Sequence, residues 1–226
     1  MFKEELMIRL LLLLFFLSSC ALAPQNLRIS QSTDLEKRNI KRIAILPVDS
    51  LLPKQAAKIP YSVAPSEEGA DAEREAGAVL TQLLYSAMTG LPGWHMVSER
   101  EVREVEALVP LQGEIRARAK KLGETVYADV VLFGTIQRFR EREGAEFGVK
   151  SPASVAFTLH LLDVKKGDIV WSAHFEETQR PLSDNIFAIG AFAQRGAKWL
   201  KAEELAHEGI KKAVNQLHKT LYQTSS

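Results

Sequence analysis

A single cysteine, Cys20, stands in 226 residues, so no disulfide can form within the chain and no cysteine-rich metal site can be built. Charge of one sign is also missing. Lys and Arg number 29 against 28 Asp and Glu, and a formal charge of +1 gives no global field to hold a polyanion, so no nucleic-acid partner is expected. Long apolar runs are absent too. The longest, Leu10–Leu17, spans about 12 Å as a helix, far short of the ~30 Å of a membrane core. The Gly-x-Ser-x-Gly elbow, the His-Glu-x-x-His zinc pair, the phosphate-cradling glycine loop and the dinucleotide fingerprint are all lacking. No enzyme activity, cofactor or metal is therefore expected. What remains, 46% hydrophobic and 25% charged, is the composition of an ordinary folded domain.

The one short apolar run has a defined place. It follows Arg9 and leads into Leu17-Ser18-Ser19-Cys20, which resembles the lipobox of bacterial lipoproteins: a leucine, two small residues, then the thiol that accepts diacylglycerol. On this reading residues 1–19 are a signal peptide, cleavage falls between Ser19 and Cys20, and Cys20 carries the lipid. Glu4 and Glu5 offset Lys3 and Arg9 in a segment that should be positive, so Met7 is an alternative start. Acyl chains at about 0.8 kcal/mol per buried CH2 hold a protein stably on a bilayer. Ala21 rather than Asp after the cysteine implies, by the same resemblance, the outer membrane.

Residues 20–39 hold Pro24, several Ser, Gln and Asn, and the charged cluster Asp34–Arg38, a composition read as a flexible tether. Residues 40–226 are read as one periplasmic domain. Ile43–Val48 is a buried strand; 51–69, with Pro53, Pro60 and Pro65, is a long loop. The spacing of Ala76, Leu80, Leu83, Leu84 and Ala87 predicts a helix stopped by Gly90 and Pro92. A short strand at Trp94–Val97 follows, then a helix capped by Ser98 with Glu101, and another over 113–122 ended by Gly123. Asp129–Phe139 belongs at the sheet centre. Ser154–Asp163 and Asp168–Thr178 form a hairpin turned by Gly167, with Phe157, Leu159 and Leu161 facing the core beside Trp171, Ala173 and Phe175. The stripe Leu205, Ile210, Val214, Leu217 and Leu221 closes the core as a helix. The order β-α-β-α-α-β-β-β-α predicts an α/β (α+β) sandwich with a mixed sheet of about five strands.

Chemistry-bearing residues are few. His160 and His174 lie diagonally on one face of the hairpin and read as solvated strand histidines, two ligands being too few for zinc. His207 and His218 read as solvent-facing. Glu67, Glu68, Asp71 and Glu73 open a helix and complement its dipole. Arg138, Arg140 and Arg142 read as a solvated strand end, with a partner-binding edge as the alternative. The apolar segment Ile186–Phe192, followed by Arg195, Lys198, Trp199 and Lys201, reads as a helix packed on the sheet; an interfacial membrane segment and a subunit contact are its alternatives. Phe187, Phe192 and Trp199 are the candidate interaction residues.

The lipobox, the strand Lys41–Pro47, the segment Ala128–Ile136, the hairpin Leu161–Ser172 and a closing amphipathic helix, in that order, resemble the CsgG/PelC/LpoB group of envelope lipoproteins. The resemblance spans about residues 40–222. It implies a TolB N-terminal-domain-like fold without catalytic activity. It also implies a role in an envelope complex: a ring in protein secretion (CsgG) or exopolysaccharide export (PelC), or activation of a peptidoglycan synthase (LpoB). No additional pair of lipid-facing alternating strands is seen, so a transmembrane barrel of CsgG type is not expected. A tether of about twenty residues reaches at most ~70 Å, which favours a part working close to its own membrane, with protein partners and possible self-association in a ring. The expected function is a structural or assembly component of an export complex. The alternatives are a synthase regulator and a periplasmic hydrolase using the 51–69 loop with Asp49 or His95.

Overall fold

The run Val130–Phe133 is apolar at every position because both of its faces are covered. It opens β5 (Val130–Arg140), the middle of a mixed seven-stranded sheet of order β1-β9-β8-β5-β2-β4, with β3 pairing to β5 off that path. The computed structural model describes residues 26–50, 67–108, 113–145, 148–179 and 198–222. The other strands of this sheet are β1 (Leu27–Gln31), β2 (Arg42–Ile45), β3 (Asp49–Ser50), β4 (His95–Met96), β8 (Ser154–Asp163) and β9 (Ile169–Thr178). A separate small hairpin joins β6 (Glu143–Ala145) to β7 (Gly148–Ser151).

β2, β3 and β4 belong to the parallel part of the sheet and β8, β9 and β1 to the antiparallel part. Parallel neighbours need crossovers, and helices supply them: α1 (Glu67–Met88) between β3 and β4, then α2 (Glu99–Leu108) and α3 (Ile115–Thr125) before β5. α4 (Ala202–Tyr222) closes the chain. The expected α/β class, the central strand and the hairpin are all present.

Two apolar layers result. On one face Ile43, Ile45, Leu132, Ile136, Phe157, Leu159, Leu161, Trp171 and Phe175 meet Leu80, Leu84 and Met88 of α1 and Leu205, Ile210, Val214 and Leu217 of α4. On the other, Ala44, Leu46, Val131, Phe133 and Leu162 meet Val102 of α2 and Ala119 and Leu122 of α3. The hairpin register is Phe157↔Phe175, Leu159↔Ala173 and Leu161↔Trp171, with Gly167 at φ +75° in the turn. Core residues thus alternate in step on both strands, as their spacing predicts.

The structure corrects the boundary at residue 40. Leu27 to Gln31 pair antiparallel with Phe175 to Trp171, and Leu35, in a 3-10 turn over Leu35–Lys37, is fully buried in the larger core. The domain therefore includes residues 26–39 of the segment read as a tether. Physically, a five-residue edge strand gains its hydrogen bonds from a partner some 140 positions away, which local composition does not register. Gly123 is the second correction. It lies inside α3, where an added Cβ would come within 2.3 Å of Val164 and 2.7 Å of Val131. It brings helix and sheet together and does not end the helix.

Candidate functional site

The site is built where the chain enters the domain. Strand direction fixes what gathers there. β1 runs antiparallel to β9, β9 to β8 and β8 to β5, so the start of β1 lies at the same end of the sheet as Thr178, Ser154 and Arg140. The β6–β7 hairpin continues from that end, and α4 starts there, its Ala202 N–H donating to the Glu141 carboxylate at 3.2 Å. Asn26 is bound twice: its carbonyl accepts the Glu176 N–H at 2.9 Å, and its side-chain amide donates to Glu177.

A polar strip runs from this end along the sheet face not covered by α1 and α4. Arg138 donates to Glu176 at 2.9 Å and also bonds Ser154, and this guanidinium holds the Glu176 carboxyl below its usual range. Ser154 and Thr178 share a hydrogen bond at 2.5 Å, and Thr158 bonds His174 at 3.0 Å. His160 pairs with Ser172 at 2.7 Å and stands 5.2 Å from the Phe133 ring, where burial lowers its pKa. The diagonal arrangement of His160 and His174 is as the spacing predicts. Among the described residues no group of three or more His, Cys, Asp or Glu could hold a metal ion.

The two residues offered for hydrolysis are not brought together. Asp49 accepts a hydrogen bond from Arg118 at 2.7 Å. His95, exposed on the short edge strand β4, pairs with Arg42, about 20 Å along the sheet from Asp49 at ~3.3 Å per residue. His218 corrects its reading as solvent-facing. It is buried, bonds the Pro92 carbonyl at 2.9 Å and meets the Trp94 ring edge-on at 5.2 Å. His207 is exposed, as expected. Trp199, of the candidate interaction residues, is half-buried just before α4 and is engaged in an interaction. Ser19, Cys20, Phe187 and Phe192 lie outside the described residues.

Sequence reasoning missed a cleft at the opposite end of the sheet, about 510 Å³ in volume, lined in part by Asp34, Arg38, Asp129, Asp163 and Lys166. Its three carboxylates are held by partners within the fold. Arg38 bridges Asp34, at 2.8 Å, and Asp163, while Asp129 accepts the backbone N–H groups of Lys41 and Arg42, both at 2.8 Å. The arrangement ties the 34–42 segment to β5 and to the β8–β9 turn. The sequence signal was the Asp34–Arg38 spacing of four.

No family model matches this chain, and no curated protein does. Solved structures similar to it include the PelC dodecamer from Paraburkholderia phytofirmans, 16% identical over 85% of this chain and 96% of that one, with a TM-score of 0.42. Lipoprotein GNA1162 from Neisseria meningitidis is 15% identical over 69% and 96%, at 0.38. The LpoB C-terminal domain from Escherichia coli is 15% identical over 62% and 83%, at 0.33. At these values the likenesses assign no role to this chain.

Proposed function

We propose that the chain is a lipoprotein of the bacterial cell envelope, anchored to the outer membrane through acylated Cys20. Its α/β domain then serves as a non-catalytic structural or assembly component of an export complex, by self-association or by docking to a larger partner. The observation that carries the reading is the shortness of the link. Leu17-Ser18-Ser19-Cys20 stands only six residues before Asn26, which is already hydrogen-bonded into the sheet. Six residues extend at most ~21 Å, so an acylated Cys20 holds the domain against its own membrane and out of reach of a distant one. Among the described residues no helix is long and apolar enough to cross a membrane.

The polar residues add support for a role without turnover. Asp49, Asp129, Asp163, His160 and His218 are each held by a structural partner. The test is the size of the acylated protein extracted in mild detergent. A stable oligomer or a co-purifying envelope complex is expected. A strict monomer that binds and activates a peptidoglycan synthase would replace the export role with a regulatory one. Hydrolytic activity lost on Asp49→Asn or His95→Ala would overturn both.

A further inference from the structure

We propose that two copies of this chain join edge to edge through β1, strand against strand in opposite directions about a two-fold axis at Ile29. The pairing specifies the self-association allowed in the functional reading above and rests on that reading.

Strand order leaves the edge open. β1 ends the sheet path, and among the described residues its one strand partner is β9. The Asn26 carbonyl accepts the Glu176 N–H, and the Ser32 N–H donates to the Val170 carbonyl, both at 2.9 Å. Bonded residues alternate along an antiparallel strand, so Arg28 and Ser30 also turn their backbone groups inward, opposite His174 and Ser172. Leu27, Ile29 and Gln31 turn their N–H and C=O groups outward. The β1–β9 register runs from Leu27 to Gln31 without a bulge, and no proline stands in β1, so two of the devices that blunt an edge are missing. The other end of the path, β4, is only His95–Met96, too short to template a partner strand.

The sequence of β1 selects the occupant. Read against its own reverse about Ile29, Leu27-Arg28-Ile29-Ser30-Gln31 sets Ile29 opposite Ile29, Leu27 opposite Gln31 and Arg28 opposite Ser30. Every outward backbone group from Leu27 to Gln31 then meets a complementary group of the other copy, and no like charges face each other. The axis stands perpendicular to the sheet, so core-facing Leu27 and Ile29 keep their face in both copies, as do exposed Arg28 and Ser30. Neighbouring registers are worse. Centring on Arg28 sets two guanidinium side chains directly opposite, with Cα atoms about 4.5 Å apart, which is destabilising. Centring on Ser30 sets Leu27 opposite Thr33, beyond the end of the strand, and leaves the outward groups of Leu27 unpaired. The complete register is isologous, so the contact closes on two copies.

The experiment uses the full chain, processed by its host and reconstituted into vesicles of phosphatidylethanolamine and phosphatidylglycerol. Acylation consumes the only native thiol, so Arg28→Cys is prepared as one protein and Ser30→Cys as another, one of them carrying a size tag. Opposed residues of a non-hydrogen-bonded pair stand about 4.5 Å apart at Cα, within the ~4.4–6.8 Å that a disulfide spans. On mild oxidation the mixed 28–30 disulfide should form several-fold faster than 28–28 or 30–30. Gln31→Pro removes one outward N–H and none that β9 uses, and should slow the mixed disulfide several-fold while leaving the thermal transition in place. Should the proline unsettle β1, the preference for the mixed disulfide decides the matter alone. No disulfide between copies, or equal rates for all three combinations, would overturn the pairing. An unchanged oligomer or co-purifying envelope complex in mild detergent would then leave the functional reading standing.

Discussion

The carbonyl of Asn26 accepts the backbone N–H of Glu176 at 2.9 Å, so the domain is tied to an edge strand of its own sheet within six residues of Cys20. With Cys20 acylated as proposed, the length of the link rather than its sequence would set the distance to the membrane. A flexible Gly/Ser insertion between Ala21 and Gln25 should leave the thermal unfolding transition unchanged, whereas replacing Leu27 and Ile29 on β1 by Asp should lower it.

Leu35 gives a direct test of where the domain begins. It is fully buried against the larger core although its neighbours are charged. Removing a buried leucine side chain costs about 2–5 kcal/mol through lost transfer energy and the cavity left behind. Leu35→Ala should lower the urea midpoint accordingly; a change within error would place this segment outside the cooperative unit.

Gly209 is where α4 approaches the hairpin. A Cβ there would lie 2.7 Å from the Phe175 ring, which is itself fully buried and stacked on Phe157 at 5.1 Å. With the ring held from both sides, Gly209→Val should destabilise by about 1–3 kcal/mol, far more than the small gain in helix propensity returns. Thermal denaturation of the variant measures it.

His160 predicts a pH dependence with a definite sign. Burial disfavours its charged form, so the folded state binds the proton less readily than the unfolded one. Stability is then greatest above about pH 6.5, the unfolded value, and falls as pH drops from there toward the lower folded value. Carboxylates held low, such as Glu176, act at more acid pH. Glu106, raised by burial, acts in the opposite direction just above the ordinary carboxylate range. Urea unfolding between pH 7 and about 5.5 should show the slope of stability against pH flattened in His160→Gln.

Much of this fold is legible because its signals are local. Phe157, Leu159 and Leu161 alternate with the same period as Trp171, Ala173 and Phe175, and Gly167 supplies the positive φ between them. Ser98 caps α2 by accepting the Glu101 N–H at 3.2 Å, as the three-residue spacing predicts. What was not legible depends on distant partners. β1 exists through β9, Glu141 satisfies an N–H 61 positions away, and His218 is buried by Trp94 and Pro92, 124 and 126 positions earlier. Gly123 shows the same limit from another side, since its role is set by Val131 and Val164 and not by the helix it sits in. For the candidate site, the lipobox and the Arg138–Arg142 run could be read directly. That Asn26 and Arg140 stand at one end of the sheet could not, because this follows from three successive antiparallel pairings.

The intact mass of the protein recovered from the membrane fraction bears most directly on the whole account. A mature chain beginning at Cys20 and heavier than its sequence by diacylglycerol and an acyl group is the result expected. A full-length, unmodified chain recovered from the cytosol, with the Cys20 thiol open to alkylation, would contradict it.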